Sequence, residues 1–139
     1  MNEFFSFPDG PDGKAIHLDV ASLRAWAEAN LTVKNIVIDA VLVKSLVDGG
    51  TVDLDKAQLA MASGYPKPII ICRQFTNDGR DRIVDGNHTY VARALITAAV
   101  GLFSPGETCC EGFVVEHDQW SAFAISPERA KALRLPHAD

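Results

Sequence analysis

The stretch Arg82-Ile83-Val84-Asp85-Gly86-Asn87-His88-Thr89-Tyr90-Val91-Ala92 changes its hydrophobic period at Gly86, and the reading of the fold turns on that change. Before the glycine, Arg80, Arg82 and Val84 alternate with Asp81 and Ile83, which predicts a short, exposed strand. After it, Val91, Leu95 and Ala98 recur at helical spacing, Ala92, Ile96 and Ala99 widen the face, and Val100 extends it. This predicts a deeply packed helix ending near Gly101. Thr89, Arg93 and Thr97 lie four apart and form a polar stripe on the opposite side. Strand, glycine turn and buried helix in succession predict a small α/β (α+β) chain, a mixed sheet with helices.

Upstream, Thr76-Asn77-Asp78-Gly79 is turn chemistry, because Asn, Asp and Gly tolerate the positive φ of a tight hairpin. The strand feeding it is Ile69-Ile70-Ile71-Cys72-Arg73-Gln74-Phe75, introduced by Pro66 and Pro68. Asp53 or Asp55 caps a helix through about Ala62, with Leu54, Leu59 and Met61 available to pack and Gly64 as its stop. From Thr32 to Leu46, Val and Ile with interspersed charges fit a strand followed by a connection or helix, broken at Gly49-Gly50. Asp19 caps a first helix over about Ala21 to Ala29, in which Trp26 is a core residue. Residues 6 to 13, rich in Pro and Gly, are expected to be a loop whose Asp9 and Asp12 serve turns.

Downstream, Ser104-Pro105-Gly106 turns the chain and Gly112 to Val115 offers a strand. Glu116-His117-Asp118 reads as a solvated connection. Ser126-Pro127-Glu128 opens a last helix with an N-cap serine, a proline at the first helical position and an acid near the positive helix end. His17 and His137 have no partner in the sequence and are expected in surface or loop positions.

A chain of 139 residues, 47% hydrophobic and 22% charged, can bury a core without disulfides or a structural metal, and one domain spanning 1–139 is expected. Three cysteines, Cys109 and Cys110 adjacent, make a poor disulfide framework, and Cys72 reads as a core filler. No Cys-x-x-Cys or His-x-x-x-His spacing suggests zinc. The net charge of -5 argues against a surface built for nucleic acid phosphates. The apolar runs are too short or interrupted to span a bilayer, and Met1-Asn2-Glu3-Phe4-Phe5 lacks a cationic leader, so a cytoplasmic protein without membrane partners is expected.

A glycine between a strand and a buried helix leaves the first helical N–H groups pointing at whatever occupies the mouth of the turn, which favours an anion. Asn87, His88 and Thr89 add side-chain donors there. The competing reading is structural: Asp85 caps the helix, Gly86 makes the turn, and the next three side chains bond to the first turn. Arg80, Asp81 and Arg82 read as a hairpin salt-bridge ladder.

With its hairpin and Pro-x-Ile-Ile strand, Asp85-Gly86-Asn87-His88-Thr89-Tyr90-Val91-Ala92 resembles the signature of the ParB/sulfiredoxin superfamily, a Gly-x-His-Arg or Gly-x-Arg-Arg segment leading into a helix. The likeness covers about Ile36 to Val115. It implies a site gripping nucleotide phosphates, ATP or CTP with magnesium, through Gly86, Asn87, His88 and Thr89. In that reading His88 acts as donor or acid/base and Asp85 holds its geometry or the magnesium. Two departures stand out: Asn87 replaces the sulfiredoxin cysteine, which removes the reductase thiol, and Thr89 replaces an arginine. Arg82 or Arg93 would then have to supply the charge. The helix-turn-helix of partition proteins is not found after Val115, so sequence-specific DNA binding is not expected. Three functions follow as expectations: a nucleotide- or phosphate-binding domain with hydrolase or phosphoryl-transfer activity, a non-catalytic domain with a protein partner, or a ParB-like DNA nuclease.

Overall fold

A computed structural model describes residues 3–53, 55–56, 67–104 and 106–137. Strands β1 (Phe4–Phe7) and β2 (Ile16–Asp19) form a two-stranded sheet. The strands β3 (Lys34–Val37), β4 (Ile69–Cys72), β5 (Arg82–Asp85) and β6 (Cys109–Val115) form a second sheet in the order β3-β6-β4-β5. The helices are α1 (Val20–Asn30), α2 (Ala40–Asp48), α3 (Asn87–Ala99), α4 (His117–Trp120) and α5 (Pro127–Ala132). The chain is α+β, as its sequence predicts. Among the described residues no helix is long and apolar enough to cross a membrane.

The chain divides into two compact units, one built from residues 1–32, 70–85 and 113–139, the other from residues 33–69 and 86–112. In the first, β1 and β2 pair antiparallel, with Phe5 opposite Leu18 and Ser6 opposite His17. Side chains alternate faces along a strand, so the phenylalanines turn to one side and the Ser6–His17 pair to the other. Phe5 and Phe7 pack against a buried cluster that includes Leu18, Leu23, Ile70, Phe75, Val115 and Trp120. Phe75 sits at its aromatic centre, with ring centroids 5.8, 5.9 and 4.9 Å from Phe5, Phe7 and Trp120. Cys72 is fully buried, and burial drives its thiol pKa far up, as a core filler requires.

Residues 6 to 13 are therefore not all loop, since Ser6 and Phe7 complete β1. The connection that follows is closed by the Gly10 amide on the Lys14 carbonyl (2.8 Å) and by the Asp12 carboxylate accepting from the Lys14 amide (3.0 Å), which is the turn role expected of Asp12. Asp19 caps α1 by accepting from the Ser22 amide, and Ser126 caps α5 with Pro127 in its first turn. Trp26 is half-buried against Phe123 and this core. Glu116 and Gln119 form a reciprocal capping box that turns the expected connection into α4.

In the second unit, β3 pairs antiparallel with β6 from Lys34 opposite Gly112 to Val37 opposite Cys109. A Cβ on Gly112 would lie 2.8 Å from Ile69 and 2.9 Å from Ile36, so only glycine allows these strands and side chains to approach as they do. Tyr90, Val91, Ala92 and Ala94 of α3 are buried. Leu95 and Ile96 are each 41% exposed and Val100 is exposed too, so the buried stripe of α3 is narrower and shorter than its periodicity predicts. Asp53 takes the capping role, its Oδ1 accepting from the amides of Asp55 (2.8 Å) and Lys56 (3.4 Å). The rest of the expected helix, with Leu54, Leu59, Met61, Ala62 and Gly64, lies outside the described residues, as do Pro66 and Pro105.

Candidate functional site at the start of α3

Gly86 is the N-cap of α3, at φ +94°, and its carbonyl accepts the first helical bond from the Tyr90 amide at 2.9 Å. A Cβ there would fall 2.6 Å from Cγ2 of Ile69, so glycine is demanded twice, by the left-handed backbone and by the close approach. A glycine cap has no side chain to offer, and none caps this helix. Asn87, His88 and Thr89 occupy its first turn, all half-buried. The positive end of the helix dipole and the N–H groups of that turn form the electrostatics expected of an anion site.

His88 has a specific partner within the same unit: its Nε2 accepts from the Asp53 amide at 3.3 Å. A ring nitrogen that accepts carries no proton, so neutral His88 keeps its proton on Nδ1 while this bond holds. Thr97 donates its hydroxyl to the carbonyls of Arg93 (2.8 Å) and Ala94 (3.0 Å), which leaves exposed Arg93 as the cation of the Thr89-Arg93-Thr97 stripe. Arg93 and Thr97 line a hollow of about 300 Å³ with Ser104, Glu107, Thr108 and Cys109. The start of α2 is held by the same helix, since buried Tyr90 accepts the Asp39 amide at its hydroxyl (2.7 Å), and burial pushes its phenol pKa up.

Arg82 and Asp85 belong to the other unit, and each is engaged there. The Asp85 carboxylate accepts from Nε of Arg24 at 2.8 Å in a partly buried ion pair. It does not cap α3. Arg82 lies over the rings of Phe5 and Phe7, 5.7 and 5.5 Å from their centroids, a cation–π pairing, and burial lowers its pKa. The hairpin ion pairs are instead Arg80 with Asp78 (2.8 Å) and Arg73 with both Asp81 (4.0 Å) and Glu116 (3.2 Å).

The structure thus brings Gly86, Asn87, His88 and Thr89 into one turn, puts Arg93 a helical turn further on, and gives Arg82 and Asp85 partners of their own. Sequence reasoning missed Arg24 as the partner of Asp85 and Asp53 as the partner of His88, because they lie 61 and 35 residues away along the chain. Among the described residues, no group of three or more His, Cys, Asp or Glu is placed to hold a metal ion. Compared with known proteins, the chain matches no family model, no curated protein and no solved structure.

Proposed function

We propose that the start of α3 is a phosphate-binding turn for a nucleotide, of the kind the ParB/sulfiredoxin likeness implies. The observation that carries this reading is Gly86, a left-handed N-cap without a side chain at the head of a 13-residue helix. Phosphate oxygens would take the amides of the first turn, the Asn87 amide group and Thr89 hydroxyl would add donors, and Arg93 would supply the nearest cation on the same helix. Magnesium would enter with the phosphates, which needs no cage of protein carboxylates. His88 and Asp85 are each held by a structural partner, which supports binding over hydrolysis, phosphoryl transfer or a nuclease reaction.

Thr89 is the third residue of the helix, where a glutamate favours the helix by facing its positive end. Thr89→Glu should therefore keep or raise Tm while placing a competing carboxylate in the turn. Calorimetric titration of ATP and CTP with magnesium should show saturable binding to the wild type, weakened at least tenfold in Thr89→Glu, with inorganic pyrophosphate competing. No saturable binding to the wild type, or equal binding to the variant, overturns the proposal. A second reading, a domain that binds a protein partner, is favoured by the exposed Val41, Leu95, Ile96, Val100 and Leu102. It predicts partner binding that survives Thr89→Glu and fails in Ile96→Lys.

A further inference from the structure

A second hollow lies wholly within the first unit and shares no lining residue with the turn proposed above. It is a cavity of about 990 Å³ whose lining includes three of the chain's four histidines, His17, His117 and His137, together with Lys14, Trp120 and Ile125. The sequence predicts surface or loop positions for His17 and His137. His17 is instead 4% exposed on β2, on the face of the hairpin opposite the phenylalanines. Its Nδ1 is 2.8 Å from the Ser6 hydroxyl, and its carbonyl accepts the Ile125 amide at 2.8 Å, so ring and backbone are both fixed. That leaves Nε2 as the ring atom available to a guest.

The aromatic part of the lining is equally determined. The Trp120 indole N–H is spent on the Arg73 carbonyl (2.8 Å), so Trp120 offers the cavity an apolar ring and no donor. His117 meets that ring edge-on at 4.7 Å. Prolines 8, 11 and 127 also line it. Of its charged side chains Lys14 is the cation and Asp12 the anion, and the Asp12 carboxylate is engaged within its own loop, where it accepts the Lys14 amide at 3.0 Å. The recess thus offers a guest an aromatic wall, the Lys14 ammonium and a fixed imidazole. A neutral polar guest would leave the charges unused, and a purely apolar one would bury the His17 ring nitrogen without a partner. Among the described residues the histidines are not placed to share a metal ion.

From this juxtaposition we propose that the cavity binds a small organic carboxylate with a flat ring, the ring against Trp120 and the carboxylate between Lys14 and the His17 imidazole. The site is independent of the α3 turn, so either can fail without the other. The test is a two-dimensional NMR titration of the full chain with benzoate, indole-3-carboxylate and naphthalene-2-carboxylate, each beside its neutral amide. At least one carboxylate should shift the Trp120 indole and Ile125 amide signals saturably, its amide should bind at least fivefold more weakly, and Lys14→Met should weaken the carboxylate at least fivefold. Lys14 is exposed, so that variant folds. No saturable shift with any of the three acids, amides binding as tightly, or an unchanged Kd in Lys14→Met overturns the proposal.

Discussion

Among the described glycines, Gly86 combines a left-handed backbone with the closest approach to a neighbouring side chain. Gly86→Ala would put an L-residue at φ +94° and a methyl 2.6 Å from Ile69, which together should cost about 2–4 kcal/mol in urea unfolding. A smaller cost would mean that Ile69 yields freely. His17 makes a prediction about pH. Burial lowers its pKa from 6.5, and the charge of His137 lowers it further. Above that ordinary value the ring is neutral in folded and unfolded chains alike and pH has no effect through it. As pH falls through 6.5 the unfolded chain takes up a proton that the folded one refuses, so stability falls until the folded ring also titrates. The wild type should lose more stability between pH 7.5 and 5 than His17→Asn, which preserves a partner for Ser6 while removing the titration; equal losses would show that His17 is not the group responsible. Lys14, His117 and His137 line the same recess and remain in both proteins.

At the scale of elements, what the sequence makes legible is what is local. Asp19 and Ser126 cap helices because a side-chain oxygen three residues before an amide needs nothing else. The turn at Thr76–Gly79 follows in the same way, closed by the Gly79 amide on the Thr76 carbonyl at 3.0 Å. The β1–β2 hairpin was hidden by its own connection, whose prolines and glycines drew the loop reading back over Ser6 and Phe7. Its signal was present in the alternation Phe5-Ser6-Phe7 against Ile16-His17-Leu18. For α3, periodicity identifies the helix but not what covers it, and so Leu95 and Ile96 are exposed where a packed face is expected. Tyr90 shows the non-local part: its hydroxyl holds the start of α2 from 51 residues away. Tyr90→Phe should cost about 1 kcal/mol, the worth of one such bond, as a lowered urea midpoint at unchanged slope. No loss at all would mean that water serves the Asp39 amide as well.

Over the whole molecule, composition sets how much apolar surface can be buried and is silent on which segments share it. The first unit draws on three separated stretches of chain, and its core needs the last of them: residues 113–139 bring Phe113, Val115 and Trp120 to Leu18, Ile70 and Phe75. Each such side chain stabilises by about 1.5–3 kcal/mol on burial, and three together rival the 5–15 kcal/mol that holds a typical domain folded. A chain ending at residue 112 should therefore lose the unit. Trp26, half-buried on α1, reports this, and its fluorescence should shift to the red and show no cooperative change in urea. A chain ending at Ser126 removes α5, whose buried residue is the small Ala130, and should keep both the native emission and a cooperative transition at a lower midpoint. Native Trp26 emission in the shorter chain would mean that the hairpin, α1 and the strands β4 and β5 hold together without the last three residues of β6 and without α4, and that the first unit is smaller than the structure draws it.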